Sequence, residues 1–589
     1  MNWIDWSIIV FYFVASAGVG VFYAKRAGKD MQEFFLSGRN LPWWLAGTSM
    51  VATTFAADTP LAVTELVARN GIAGNWLWWN FLFGGMLTVF FFARLWRRAG
   101  ILTDVEFVEI RYTGKPAAFL RGFRAIYLGI FMNCIIMGWV NLAMAAILEG
   151  MFGVPRDQVM IYIALSLVLT AVYSALSGLW GVAVTDAFQF ILAMVGCVVL
   201  AFVVLALPEV GGIAGLQAKL PAWNFRFLPV VGDGGAGGDG LGIGGALALS
   251  VAAFLAYVGV QWWASWYPGA EPGGGGYVAQ RMMSAKDEKH SLYATLWFTV
   301  AHYCIRPWPW IIVGLATLVL YPALGPDEKR LGYVFAMRDH LPIGLKGLLV
   351  ASFFAAYMST ISTQLNWGTS YIMNDFYRRF VNPAANDRSL VRTARITTIL
   401  IMLLSLVVTA MLDTISGAWT FIIEAGAGLG LVLILRWYWW RVNAWSEIAA
   451  MSTPMIAYGV LSRFTAIQFP ETLFYIVGIT TVVWILVTYM TAPVPEATLK
   501  EFYRRVHPGG IGWRPVARLL PDVQGDAGFA GLFLDWLAGI VLVYAMLFGI
   551  GKLIFGEVAL GLVLIAVGLG AAWLISRDLT RRGFAQIIK

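Results

Sequence analysis

Residues 43–69 form an apolar stretch that is long enough to cross a bilayer but is interrupted at its centre by Ala57-Asp58-Thr59-Pro60. A spanning helix needs about twenty apolar residues and must satisfy its backbone hydrogen bonds internally. Proline removes one of those bonds and disfavours helical geometry at Thr59, which makes the carbonyls of residues 52–56 available to a cation. A carboxylate at this depth is costly unless it is used, so the pattern favours a binding site at a broken helix over a simple proline kink.

Similar apolar runs recur along the 589-residue chain, of which 59% is hydrophobic and only 13% is charged. A mean hydropathy of +0.73 exceeds what a soluble core needs. The sequence therefore predicts an all-α polytopic membrane protein in a lipid bilayer, with about fifteen transmembrane helices. The predicted spans are 5–24, 43–68, 74–96, 122–150, 157–177, 179–207, 243–268, 290–321, 344–374, 390–413, 416–436, 444–466, 471–492, 531–553 and 556–576.

Basic residues are concentrated in alternate connections between these spans. Because cytoplasmic loops carry the excess of Lys and Arg, this pattern places the N-terminus outside and the C-terminus in the cytoplasm of a cell inner (plasma) membrane protein. These short loops also explain the net charge of +8, so nucleic acid is not an expected partner. The three cysteines lie in predicted spans without metal-ligand spacing, which favours neither a disulfide framework nor a zinc site.

A glycine-rich stretch divides the chain into halves, and each half begins with an interrupted apolar segment. The second of these segments, 243–268, runs into Trp266-Tyr267-Pro268-Gly269 and the insert PGAEPGGGG. Interruptions at corresponding positions predict a transporter built from inverted repeats, with its site at the repeat interface. The predicted units are an N-terminal extra helix and cytoplasmic loop at 1–42, a first five-helix repeat at 43–207, a Gly-rich extracellular linker at 208–242, a second inverted five-helix repeat at 243–441, and C-terminal accessory helices at 442–589.

A stripe of hydroxyl groups lies in the predicted span 344–374. Helical spacing places Ala356, Ser359, Ser362 and Thr363 on one face, with Thr360 beside them. Sodium prefers oxygen ligands, and hydroxyls together with freed carbonyls can replace its hydration water. The stripe alone equally favours hydroxyls that bond back to their own helix or that pack helices closely together.

Asp186 lies about two turns into a span that carries no basic residue. We expect an unpaired carboxylate there to face a cation, a proton path or water, although an acid near the interface that reaches loop water is an alternative. Glu424 and the pair formed by His302 and Arg306 are further intramembrane polar groups. We interpret Arg306 as a structural partner near the end of its span.

Four motifs together resemble those of the sodium/solute symporters, a family that includes bacterial sodium-coupled galactose, proline and sialic acid carriers and mammalian glucose carriers. The motifs are EFFLSGRNLPWW at 33–44, SGLWGVAVTDAFQ around Asp186, Gln280-Arg281 followed by Ala285-Lys286, and the helix with Ser359 and Thr360. The resemblance covers roughly residues 33 to 441. It implies a LeuT-type five-plus-five inverted repeat with one additional helix before it and several after it.

The resemblance also implies binding residues. Those implied for one sodium ion are the carbonyls of Ala52, Phe55 and Ala356 and the hydroxyls of Ser359 and Thr360. Those implied for a candidate second sodium ion are Asp186, Ser359, Ser362 and Thr363, from which we predict two sodium ions per solute. The candidate solute-binding residues are Asp58, Thr59, Asn80, Trp139, Trp262, Trp263 and Tyr303. The Trp262-Trp263 pair can equally face lipid or pack against other helices.

The sequence therefore predicts a sodium-coupled secondary symporter that imports a small polar organic solute by alternating access, as a monomer or weak oligomer, and that is not an enzyme. Thr59-Pro60 and Tyr303 depart from the pattern of the sugar carriers, which leaves the substrate open. One alternative is a membrane enzyme that uses His302, His340 or Glu424, for which no catalytic motif is present. The other is a solute sensor, for which the soluble linker 493–530 is too short to hold a kinase.

Overall fold

The structure is a computed structural model that describes residues 1–27, 29–231, 248–325, 328–412, 415–526 and 528–583. Helices dominate these residues, with short 3-10 or π-helical turns inside or between several of them. The α-helices are Trp3–Ala27, Met31–Leu36, Trp43–Thr53, Asp58–Asn70, Trp76–Trp79, Leu82–Leu87, Ala93–Ala99, Phe107–Arg111, Gly114–Ile126, Asn133–Phe152, Val159–Leu205, Gly212–Lys219, Val251–Leu255, Trp262–Ala264, Gly276–Ser284, Glu288–Val300, Pro307–Leu320, Leu331–His340, Leu345–Ser370, Asp387–Met411, Ile415–Ala425, Leu429–Tyr438, Ala444–Phe464, Thr472–Met490, Glu496–Val506, Arg514–Ala517, Phe529–Ile554 and Val558–Arg581.

Ten helical spans among the described residues are long and apolar enough to cross a membrane, and a helix pair bent by 48° makes up to eleven. The count of about fifteen is therefore not confirmed. Two predicted spans are broken into shorter helices, and the predicted spans 157–177 and 179–207 correspond to two helices that meet within the stretch Val159–Leu205. That stretch is kinked at Gly178, whose φ of 56° is a left-handed conformation that glycine adopts without a Cβ clash.

The first predicted interruption is a break in the structure. Helix Trp43–Thr53 ends and helix Asp58–Asn70 begins on either side of residues 54–57, which we call the first break. The Thr54 hydroxyl donates to the Met50 and Val51 carbonyls at 3.3 and 3.0 Å, so it satisfies backbone groups at the end of the first helix. Pro60 lies in the first turn of the second helix, where a missing N–H costs no intrahelical bond.

The second interruption includes the PGAEPGGGG insert itself. Residues 265–275, which we call the second break, separate Trp262–Ala264 from Gly276–Ser284 without helical structure. The Trp266 N–H donates to the Gly426 carbonyl at 3.2 Å, and the Gly428 N–H donates to the Ala264 carbonyl at 2.9 Å. The second break is thus held against the bend between Ile415–Ala425 and Leu429–Tyr438.

The hydroxyl-bearing helix Leu345–Ser370 lies at the centre of the molecule. Its span is 94% buried, whereas the C-terminal helix Val558–Arg581 is only 22% buried and faces outward. Leu345–Ser370 packs along Val159–Leu205 and also against Trp43–Thr53. The stripe, the helix that carries Asp186 and the first break are therefore neighbours.

The predicted glycine-rich linker 208–242 lies partly outside the described residues, because these exclude 232–247. The part before the gap contains helix Gly212–Lys219 and a 3-10 turn, Ala222–Phe225. A two-residue strand, Val230–Val231, pairs in parallel with Ala248–Leu249 across the gap. The segment up to residue 231 is therefore folded, with short elements between its turns.

Candidate functional site

A cavity lies between the two breaks. The first break and the residues beside it contribute Thr54, Ala56 and Asp58, and the second break contributes Tyr267 and Pro268. The cavity has a volume of about 80 Å³. This is several times the volume of about 10–15 Å³ that a single water molecule requires.

Aromatic side chains form much of the cavity wall, and they come from separate helices. Trp78, Trp139, Tyr267, Tyr277 and Trp419 all line it. The ring of Trp419 meets the rings of Trp139 and Tyr267 edge-on, with centroids 6.4 and 6.1 Å apart. A largely aromatic wall with a few polar groups is typical of small-molecule sites.

Asp58 is the carboxylate of the cavity. It lies in the first turn of Asp58–Asn70, where the helix N-terminus favours a negative charge, and only 3% of its surface is exposed. Its Oδ1 atom has no hydrogen-bond partner within the described part of the chain. A buried acceptor left without a donor is rare in folded proteins, so this atom is available to a ligand.

Arg306 and His302 supply the basic side of the cavity. The Arg306 guanidinium donates to the His302 carbonyl and to the Thr54 hydroxyl, each at 3.1 Å, and its Nη2 lies 2.8 Å from the His302 ring nitrogens. It also lies over the Trp310 ring, 5.5 Å from the centroid. These contacts fix the guanidinium, but among the described residues it forms no ion pair, so its charge is not compensated by a close carboxylate.

Of the residues implied for one sodium ion, Thr360 and Ala356 lie where Leu345–Ser370 meets the end of helix Trp43–Thr53, whereas the Ser359 hydroxyl donates to Asp186. The Thr360 hydroxyl donates to the Thr53 carbonyl at 2.8 Å and to the Ala356 carbonyl at 3.2 Å. Ala52 and Phe55 are buried beside Thr53, each with 2% of its surface exposed. Hydroxyl and carbonyl oxygens of two separate elements are thus within contact distance, in a water-poor environment that suits a hard cation.

The residues of the candidate second sodium site also lie close together, but a guanidinium lies among them. Asp186 accepts hydrogen bonds from Ser49 at 2.5 Å and from Ser359 at 2.7 Å. Arg281 donates to the Ser49 and Thr363 hydroxyls at 3.1 and 2.8 Å, and its Nη2 lies 3.6 Å from Asp186 Oδ2. The cation that faces Asp186 in this structure is therefore an arginine from the second half of the chain.

The structure places the predicted solute-binding residues in two groups. Asp58, Thr59 and Trp139 line the cavity. The other four do not line it. Asn80 donates to the Trp76 and Leu77 carbonyls, Tyr303 stacks behind Trp78 with centroids 5.7 Å apart, and the indoles of Trp262 and Trp263 donate to the Val258 and Gly259 carbonyls.

Several cavity residues were not among the predicted solute-binding residues. The polar or aromatic ones include Thr54, Gln364, Trp419, His302 and Arg306. Arg306, interpreted from the sequence as a structural partner, lines the cavity instead. One signal was available, because His302 and Arg306 are four residues apart and therefore share a helix face in mid-span. Glu424 lies elsewhere and accepts a hydrogen bond from Thr472 at 2.5 Å.

Comparison with known proteins adds three findings. A profile described as "Sodium:solute symporter family" matches residues 34–457. The chain is 24% identical over 496 residues to a sodium/glucose cotransporter of Vibrio parahaemolyticus. This aligned region covers 80% of this chain and 87% of the relative. It is 23% identical over 453 residues to the osmoregulated proline transporter OpuE of Bacillus subtilis (strain 168), with 75% and 85% covered.

Among solved structures, the chain is similar to a sodium-coupled sialic acid symporter in a substrate-bound outward-open state. The TM-score is 0.65 at 20% sequence identity, over 84% of this chain and 99% of the other. This likeness shows the fold, an all-α LeuT-type inverted repeat with additional flanking helices.

Proposed function

The chain belongs to the sodium:solute symporter family, and we propose that its cavity is where it binds the small polar organic solute that it imports with sodium. Family membership makes it a multi-pass, sodium-coupled membrane transporter rather than an enzyme. The observation that carries the proposal is the cavity between the two breaks, with a carboxylate and a guanidinium on its wall. Transporters of this architecture bind substrate where discontinuous helices meet.

We propose that one sodium ion binds to the carbonyls of Ala52, Phe55 and Ala356 and to the hydroxyls of Ser359 and Thr360. The contact between Thr360 and Thr53 supports this assignment, because it joins the two elements that would share the ion. An ion bound to both elements stabilises the arrangement in which the first break lies against Leu345–Ser370. Sodium would then lower the free-energy cost of the solute-binding conformation.

A second sodium ion, if it is carried, would bind to Asp186, Ser359, Ser362 and Thr363. Arg281 already donates to Thr363 and lies near Asp186, so a cation at this position has to displace the guanidinium or share the carboxylate with it. Two positive charges near one carboxylate repel each other strongly in a buried site. We therefore propose that binding of the second ion is coupled to movement of Arg281.

For the solute, we propose direct contacts with Asp58, Thr59 and Trp139, which line the cavity. Four predicted residues lie behind the cavity wall or away from it in this structure, so they would contact the solute only in another conformation of the carrier. They are Asn80, Trp262, Trp263 and Tyr303. Tyr303 is the nearest of these, because it supports Trp78 by stacking. Rearrangement of that stacked pair is the simplest way to bring it into contact with a solute.

We further propose that 43–207 and 243–441 are the two inverted repeats, flanked by 1–42, by the extracellular linker 208–242 and by the accessory helices 442–589. The arrangement of basic loops favours a protein of the cell inner (plasma) membrane with its N-terminus outside and its C-terminus in the cytoplasm. Alternating access would then arise from movement of one repeat relative to the other. We propose that a monomer or a weak oligomer carries out this cycle.

Transport assays with purified protein in liposomes test the proposal. Thermal-shift screening of solutes, with sodium or potassium present, first identifies one that stabilises the protein by mass action. Uptake of that solute under an inward sodium gradient should rise above its equilibrium level and then fall as the gradient dissipates. Equal uptake under an inward potassium gradient would contradict sodium coupling.

A further inference from the structure

We propose that the solute is a zwitterion of amino-acid size, whose carboxylate binds Arg306 and whose ammonium group binds Asp58. The inference rests on the proposed function, since it assigns a substrate class to that same cavity. It concerns the chemistry of the ligand and not the ion that drives transport. The assignment of the substrate class and the proposal of sodium coupling can therefore fail separately.

Arg306 is prepared to bind an anion. Only 2% of its surface is exposed, and each partner within hydrogen-bonding distance is neutral: the His302 carbonyl, the His302 ring and the Thr54 hydroxyl. A buried guanidinium that lacks a carboxylate partner is expensive, because its desolvation is not repaid by a nearby negative charge. A guanidinium also presents parallel donors that match the two oxygens of a carboxylate.

Asp58 provides the opposite charge on the same cavity. Its position in the first turn of a helix accounts for part of its stabilisation, but its Oδ1 atom still has no donor among the described residues. Asp58 and Arg306 both line the cavity, but they form no ion pair with each other in the described part of the chain. The two groups are thus held apart, and a ligand with both a cationic and an anionic end can contact both.

Charge balance distinguishes this ligand from its rivals. A neutral sugar would leave each of the two buried charges without an oppositely charged group in direct contact. A simple carboxylic acid would pair with Arg306 but would bring a second negative charge toward Asp58. A simple amine would pair with Asp58 but would bring a second positive charge toward Arg306. Only a zwitterion compensates both groups while adding no net charge to the buried site.

Two further observations agree with this assignment. Gln364 and Trp419 line the cavity, and the Gln364 Oε1 atom and the Trp419 indole N–H lack hydrogen-bond partners in the described part of the chain. One is an acceptor for an ammonium group and the other is a donor for a carboxylate. The cavity volume of about 80 Å³ favours a small solute.

Ligand discrimination by the wild-type protein is the first test and needs no variant. The twenty common L-amino acids are screened by thermal shift in sodium, together with their carboxamides, their deamino acids, their decarboxylated amines, glucose and myo-inositol. We expect at least one amino acid to raise the melting temperature, and its three derivatives, each of which lacks one of the two charges, to bind roughly 10- to 100-fold more weakly. The absence of any amino acid that stabilises the protein would overturn the inference, as would equal binding of an amino acid and its carboxamide.

Variants then assign the two ends of the ligand. Arg306→Gln should remove the preference for the amino acid over its carboxamide, which lacks the carboxylate. Asp58→Asn should remove the preference for the amino acid over its deamino acid, which lacks the ammonium group. Arg338→Gln and Asp339→Asn, which alter an exposed pair, should leave both preferences intact. Unchanged preferences in correctly folded Arg306→Gln or Asp58→Asn protein would refute the assigned contacts. The ligand screen with the wild-type protein decides the substrate class even where a variant does not fold.

The outcomes also separate this inference from the proposed function. Sodium-driven uptake of glucose or myo-inositol, with no binding of any amino acid, would overturn the inference and leave the symport proposal intact. Binding of an amino acid that sodium neither strengthens nor drives into liposomes would support the inference and refute symport.

Discussion

Replacing Thr360 by alanine should raise the sodium concentration that gives half-maximal transport by roughly two- to twelvefold. The Thr360 hydroxyl bridges the first break and helix Leu345–Ser370, at 2.8 Å from the Thr53 carbonyl. Removing one hydroxyl from such a site costs about 0.5–1.5 kcal/mol net, and a tenfold change in affinity corresponds to about 1.4 kcal/mol. Alanine is well tolerated in a helix, so the variant should insert and fold.

Two further variants separate the effect of losing the hydroxyl from the effect of losing side-chain volume. Thr360→Ser keeps the oxygen and loses a methyl group, so its sodium dependence should stay close to that of the wild type. Thr369→Ala removes the same atoms from the same buried helix, at a hydroxyl that lies 2.9 Å from that of Thr398 and away from the proposed site. The assay is initial uptake rate against sodium concentration in proteoliposomes, with equal amounts of inserted protein. An unchanged half-saturating concentration in Thr360→Ala, or an equal shift in Thr369→Ala, would refute the assignment.

Three other perturbations have defined outcomes. Asp58→Asn should insert normally but lose sodium-linked solute binding, and titration calorimetry at several sodium concentrations would contradict this if it gave the wild-type dependence. Reversal-potential measurements should give two sodium ions per solute in the wild type and one in Asp186→Ala; a wild-type ratio of one would exclude the second ion. Glu447→Gln should lower stability by about 3–5 kcal/mol, because the fully buried Glu447 pairs with Arg124 at 2.7 Å and Arg436 at 3.4 Å. A melting temperature equal to that of the wild type would contradict this last estimate.

The first break was predictable because its cause is local. Pro60 and Asp58 interrupt an otherwise apolar segment, and any helix with these residues at mid-depth must rearrange. The stripe of Ser359, Ser362 and Thr363 was predictable for the same reason, since helical spacing alone places these residues together.

The roles of Arg306 and Arg281 depend on tertiary contacts, which the sequence does not display. Asp186 lies on a span without basic residues, yet a guanidinium from another helix lies 3.6 Å away. Arg306 was interpreted as a structural partner because the sequence placed it near the end of its predicted span. Only the packing reveals that its partners are neutral and that its charge faces a cavity.

The span count is not confirmed, because a span that is broken into short helices does not pass a test of continuous apolar length. The first broken helix, counted as one span, consists of two short helices. The boundary between 157–177 and 179–207 was predicted at Gly178, where the structure has a kink between two helices. The positions of the breaks were nevertheless close to those observed, because glycine and proline mark them in the sequence.

Coupling between solute and sodium is the central claim, and sodium movement tests it most directly. Proteoliposomes with equal sodium on both sides are given an inward gradient of an amino acid that thermal-shift screening has identified, and uptake of radioactive sodium is followed. Since coupling is reciprocal, the amino acid gradient should drive sodium inward above its equilibrium level, and Thr360→Ala should need a higher sodium concentration to show the same flux. Amino acid uptake without any movement of sodium would contradict the account.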